Sequence, residues 1–361
     1  MAASRSRGSW WPGPGPAFAA ALFGGACAAT TPSPPPPQET LVVLNAGDTT
    51  LTLLAVSGAA PERTIPLGGL GAAPVAIAAR GRQGVVTTGP GSTVARVDLL
   101  TGGVRVQSLT AGAGAAAAAF VNDSIVYVTN PFINRVTRLN FVSGDTASIA
   151  AGQTPTAVAV TRGRVFVADA NLDTRCRDPE PCVLGPSWLT VIDPDRNAVV
   201  DSLALPGPGN AVAIEVGGDG LLYVLSAGPG GDEPGRLSIV DPVLRQEVGN
   251  FGGFGVLPSR LASDGRERLF VVSATEGLME FNTRTRRVVR GENNGIRLTA
   301  GVAAAVDHNG LVYAIEAGVC TYGPGRIRVF RPDLTEARVV PAGACSADAA
   351  IVQLPPPPSI P

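Results

Sequence analysis

Eleven polar residues stand where chemistry could collect. Asn45, Thr88, Asn130, Asp169, Ser226, Ser273 and Glu316 each close an apolar run, and Thr156, Asn210, Ser259 and Asp348 stand at the start of small-residue runs. If the fold gathers them, Asp169, Glu316 and Asp348 supply negative charge, with Asn45, Asn130, Ser226 and Ser273 as hydrogen-bonding partners. Such a set suits a small polar ligand, a cation or a peptide. The same residue types also cap strand ends by bonding loop backbone, so a structural role stands beside the binding one. Other chemistries are excluded by what is missing. The chain has one histidine and all its basic residues are arginine, which removes Schiff-base lysine chemistry. His308 lies in Asp307-His308-Asn309-Gly310, a hairpin-turn sequence, so it reads as a solvated turn residue, and Ser-His-Asp and Cys-His arrangements are not expected. No Asp-x-Asp-x-Asp-Gly calcium spacing occurs. Gly217-Gly218-Asp219-Gly220 reads as a turn rather than a phosphate cradle. No catalytic residue, metal or cofactor is therefore expected.

The elements that must position these residues are short strands. Gly 45, Pro 32 and apolar positions dominated by Ala and Val suit many strands separated by turns. One pattern recurs at about the spacing of propeller blades, 40 to 50 residues. A small-residue strand is followed by an aromatic or β-branched strand and then by two more. One copy runs Thr156 to Val160 (TAVAV), Val165 to Ala168 (VFVA), Leu189 to Pro194 (LTVIDP) and Val199 to Leu203. The next runs Ala211 to Val216 (AVAIEV), Leu222 to Leu225 (LYVL) and Leu237 to Pro242 (LSIVDP). Alanine in the first strand fits a crowded central axis, where only small side chains leave room for neighbouring blades.

The ends decide how the ring closes. Leu41 to Asn45 (LVVLN) starts with a second-type strand and lacks its inner partner, whereas Ala349 to Leu354 (AAIVQL) reads as an orphan inner strand. Together they complete one blade and remove the open edges of a linear array. The expected fold is an all-β, seven-bladed β-propeller of four-stranded blades. Tyr127-Val128-Thr129-Asn130, with the later Val191-Ile192-Asp193-Pro194, resembles the YVTN-type repeat of bacterial envelope and surface-layer propellers. That resemblance implies a propeller fold and an extracytoplasmic place, and no single activity.

The termini agree with export. Arg5 and Arg7, the apolar run Ala17 to Phe23 and the small residues after it form a signal-like segment, too short to span a bilayer. Gly24-Gly25-Ala26-Cys27 resembles a lipobox that would lipidate Cys27, although Gly24 stands where that motif has Leu. The proline run Pro34 to Pro37 favours the anchored reading, and the alternative is ordinary cleavage at Ala26-Cys27-Ala28 to a periplasmic or secreted product. The expected division is a signal segment over 1–28, a Pro-rich linker over 29–40, the propeller over 41–354 and a disordered tail over 355–361. Without Cys27, four cysteines remain. The expected pairs are Cys176–Cys182, inside the long insertion Asn171 to Trp188, and Cys320–Cys345, stapling the ring closure. Further long loops, Ala227 to Arg236 and Ala317 to Gly325, open on the same face as the polar residues. The expected protein is a monomeric cell-envelope binding module that recognises a protein, peptide or glycan through this loop-rich face. It touches a membrane only through a lipid anchor, and a formal charge of −1 gives no reason to expect nucleic acid. The competing expectation is a metal-assisted hydrolase or lactonase using Asp169 and Glu316.

Overall fold

The computed structural model describes residues 37–56, 58, 63–175, 182–230, 232–320 and 323–355. The signal segment, Cys27, most of the linker, Cys176 and residues 356–361 lie outside them. Among the described residues, strands form seven antiparallel sheets of four strands each, with one short 3-10 turn at Pro131–Ile133. Each sheet is one blade. The closing blade takes its inner strand, Ser346–Leu354, from the C-terminal end and its other three, Gln38–Asn45, Thr50–Ala55 and Arg63–Pro66, from the N-terminal end. The closure pairs Gln38 with Leu354 through to Leu44 with Asp348, so the first strand begins at Gln38 rather than Leu41.

No single core holds the molecule. Seven apolar clusters form, one between each pair of neighbouring blades. Second strands are covered on both faces, as in Leu41 to Leu44 and Leu222 to Leu225, which explains why they read as unbroken apolar runs rather than alternating ones. Where such a strand carries a tyrosine, the ring is fully buried and its hydroxyl finds a polar partner: Asn197 for Tyr127 at 3.1 Å, Asp219 for Tyr223 at 2.8 Å, Asp307 for Tyr313 at 3.2 Å.

The recurrent Asp or Asn that ends third strands also has a physical role. Asp98, Asn140, Asp193 and Asp241 each accept two backbone N–H groups of the following turn, for example Val243 N at 2.8 Å and Leu244 N at 2.9 Å for Asp241. An Asx turn at that point reverses the chain into the outer strand without spending ladder bonds.

Two devices lock the closure. Cys320 and Cys345 form the expected disulfide, joining the loop after Val312–Glu316 to the link between the last blade and the closing one. Asn45 spans the same seam. Its Oδ1 accepts Gly343 N at 3.1 Å and the Ser346 hydroxyl at 3.0 Å, while its Nδ2 donates to Thr50 and Thr52. On the opposite face His308 is exposed, as a turn residue should be. Its backbone N–H also donates to Glu39 at 3.2 Å, and its Nδ1 is in contact with the same carboxylate. That contact draws the last blade's hairpin onto the first strand.

Candidate functional site: the loop-rich face and the channel

Antiparallel connectivity places every link from second to third strand, and every link between blades, on one face. The seven residues at the ends of the second strands therefore share that face, and all are buried. Most are spent on neighbours. Thr88 donates to Thr93 O at 2.8 Å. Ser273 accepts Thr275 N at 3.2 Å. Glu316 accepts Thr299 N at 2.8 Å, contacts Arg326 and lies 3.6 Å from Arg328. Ser226 is buried with its backbone beneath Gly235.

Asn130 and Asp169 are only half satisfied. Asn130 Oδ1 accepts the Thr137 hydroxyl at 2.6 Å, and its Nδ2 has no partner. Asp169 Oδ2 accepts the Thr190 hydroxyl at 2.6 Å, and its Oδ1 has none. Burial pushes the Asp169 carboxyl up to about 7, against the opposing pull of the Thr190 bond. Gly152 is obligatory beside it, because a Cβ there would stand 2.5 Å from Asp169 Cγ.

Asp348 lies apart from these seven. It sits on an inner strand and lines the central channel with Arg260, Glu215 and Thr156, in a cavity of about 220 Å³ otherwise walled by Ala, Ile, Val and Leu side chains. Its Oδ2 accepts Ile77 N at 3.0 Å. Burial raises the Asp348 carboxyl, and the Arg260 charge opposes that rise. Glu215, on the inner strand Ala211–Val216, lines both this cavity and the one that continues below it, so it occupies the waist of the channel. Burial pushes its carboxyl up to about 7. The channel thus holds two carboxyl groups that charge less readily than in water, and one guanidinium. Among the described residues no three His, Cys, Asp or Glu side chains converge as metal ligands.

Sequence reasoning missed Glu215 and Arg260. The signal was present, since each is a charged residue in an inner strand built otherwise of small, apolar or hydroxyl side chains. It also missed the exposed apolar side chains of this face. Phe132, Leu184, Trp188, Leu257 and Val319 all stand on its links or at their ends. Of the expected bridges Cys320–Cys345 is present; Cys182 is also disulfide-bonded, and Cys176 lies outside the described residues.

No family model matches the chain, and no curated protein matches it. Solved structures resemble it in fold. A functionally unknown protein from Desulfotomaculum acetoxidans DSM 771 aligns with a TM-score of 0.64 at 14% identity, over 87% of this chain and 99% of that one. A streptogramin B lyase aligns at 0.58 and 13% identity, over 87% and 97%. Hydrazine synthase of Kuenenia stuttgartiensis aligns at 0.58 and 17% identity, over 76% and 88%. At such identities the likeness extends to the fold alone. The chain is a seven-bladed β-propeller of four-stranded antiparallel blades, closed by strands from both of its ends.

Proposed function

We propose that this chain is an extracytoplasmic propeller of the YVTN-repeat type. It is carried to the cell envelope by its N-terminal segment and held there by lipidated Cys27. Its activity is binding, and its ligand is a protein, peptide or glycan engaged by the loop-rich face. The observation that carries this reading is the set of exposed apolar side chains on that face. Phe132, Leu184, Trp188, Leu257 and Val319 stand on its links, around a channel mouth that carries Asp348 and Arg260. Apolar anchors beside a few charges are what recognition surfaces use. The disulfide and the absence, among the described residues, of any helix long and apolar enough to cross a membrane are compatible with an exported protein.

The competing hydrolase would need Asp169 and Glu316 to act together. They belong to different blades, and each bonds groups near itself: Thr190 for Asp169, Thr299, Arg326 and Arg328 for Glu316. The geometry therefore favours binding.

The test compares envelope fractions passed over the wild-type propeller, a Phe132→Ser/Trp188→Ser variant and an Asp348→Asn/Arg260→Gln variant. A partner held by the wild type and lost by the first variant supports recognition through the loop-rich face. Equal capture by all three removes that face from the reading. A Cys27→Ser chain that still sediments with membranes removes the lipid anchor.

A further inference from the structure

The second blade carries an unmatched positive site on its outer half, away from the loop-rich face. Arg96, on the third strand Thr93–Asp98, lies directly across the ladder from Arg105 on the outer strand Val104–Ser108. Cross-strand neighbours point to the same side of a sheet, so two guanidinium groups are held side by side. A like-charge pair in that position is destabilising. The Arg105 charge and burial together lower the Arg96 pKa, burial being the larger cause.

Among the described residues neither arginine has a carboxylate partner. Arg96 Nη1 donates to the carbonyls of Phe141, at 2.7 Å, and Val142, at 3.2 Å, in the next blade. Its Nε is buried with no acceptor. Arg105 is exposed and forms no ion pair among the described residues. Asp98, the acidic residue among those lining the same cavity, is committed elsewhere: it contacts Arg82 with Oδ2 and accepts Leu100 N and Thr101 N, each at 3.0 Å, with Oδ1.

Both arginines line one cavity of about 360 Å³, together with Gln83, Thr101 and the Asp98 carboxylate already engaged by Arg82 and the turn, and walled by Val104, Phe141 and Val142. Gln83 supplies a second orphan, a buried Oε1 with no partner. Rotation of that amide exchanges its oxygen for an N–H donor. The orphan Nε of Arg96, the exposed Arg105 guanidinium, a rotatable amide and a hydroxyl form the donor set that a planar or tetrahedral oxyanion would satisfy. Unmatched buried donors are costly, and an anion repays that cost while also relieving the arginine pair.

We propose that this pocket between the second and third blades binds an oxyanion, a carboxylate, sulfate or phosphate group, through Arg96 and Arg105. Such a group would be carried by an acidic glycan, a peptide C-terminus or a phosphorylated surface. The site lies on the half of the propeller opposite the loop-rich face and stands independently of the function proposed for that face.

The test is calorimetric titration of the folded propeller with sodium acetate, sulfate and phosphate in turn, at constant ionic strength balanced by chloride. At least one probe should saturate a single site, and which one responds separates carboxylate sources from sulfated or phosphorylated ones. Arg105→Gln should weaken that probe about tenfold, the share of one charge-assisted bond. Arg105 has no partner to lose, so this variant keeps the fold. Arg96→Lys should weaken it too, since an ammonium lacks the fork that matches an oxyanion. Arg105→Glu should abolish binding and raise the melting temperature at low salt, because it places the missing negative charge opposite Arg96. Failure of all three probes to saturate above the chloride control would overturn the proposal. So would an affinity unchanged in Arg105→Gln.

Discussion

Replacing both members of the Cys320–Cys345 bridge by serine should destabilise the propeller far more than its position in surface loops suggests. The bridge closes a segment of 25 residues that contains the third and outer strands of the last blade and the link into the closing strand. Loop-closure entropy for a segment of that length corresponds to about 3.5 kcal/mol at 25 °C. The folded side should lose little, because the closing strand keeps its ladder to Gln38–Asn45 and the Asn45 bonds to Gly343 and Ser346. The assay is urea unfolding at neutral pH, followed by circular dichroism, for the oxidised wild type and the double variant. The expected difference in unfolding free energy is about 3.5 kcal/mol with similar slopes. Hydrogen exchange should also quicken in Ser346–Leu354 before it does in blades distant from the seam. A loss below about 1 kcal/mol would refute the reasoning, since the closing link would then not be where the unfolded chain gains its freedom. Uniform quickening of exchange would refute the expectation that opening of the double variant starts at the seam.

Two further outcomes depend on protonation. Burial pushes the Asp169 carboxyl up to about 7 in the fold from its ordinary 3.8, so its protonated form favours the fold. That stability is complete below about pH 4 and is lost progressively as pH rises to about 7, to a total of about 4 kcal/mol. Asp169→Asn should lack this slope and match or exceed the wild type at pH 8, and parallel wild-type and variant denaturation curves from pH 5 to 8 would sink the assignment. His308 is the only histidine, so one imidazole signal reports it in NMR. The Glu39 carboxylate raises its pKa, first through their hydrogen bond and then through charge, and its contribution to stability is therefore present at low pH and lost as pH rises through that raised value. Its midpoint should move down in Glu39→Gln, and an unmoved midpoint would break the proposed contact.

The blades were legible because each strand type has its own composition. Inner strands must be small near the axis, second strands must be apolar on both faces, and third strands end in an Asp or Asn that builds the next turn. A run such as TAVAV, VFVA, LTVIDP carries all three constraints at once. The closure was legible for a related reason, since a missing inner strand at one end and a surplus one at the other leave a single way to satisfy both edges. The weaker strands were legible only in outline. The inner strand of the third blade is only Ala118–Phe120, although alanine runs from Ala115 to Ala119. There Gly112 and Gly114, at positive φ, and the lone bridge from Gly89 to Ala115 replace regular pairing.

The site was legible in residue type and not in exposure. Polar residues end the second strands because a buried strand must pass there into a loop, and the same residue type serves whether it bonds a loop or a ligand. Asn45 illustrates the first use, with both ends of its amide engaged across the seam. Sequence cannot separate it from Asp169, whose Oδ1 has no partner, because the difference lies in whether a neighbouring donor comes within reach. The charges in the channel were overlooked for the opposite reason. Glu215 and Arg260 interrupt strands whose pattern was already accounted for by the crowding at the axis, yet a carboxylate or guanidinium placed there has no fold-building use that a valine would not serve better. A charged side chain retained in an inner strand is therefore a stronger pointer to function than a polar one at a strand end. On that argument Glu215 and Arg260, rather than the buried strand-end residues, are the first positions at which substitution should alter binding without unsettling the blades.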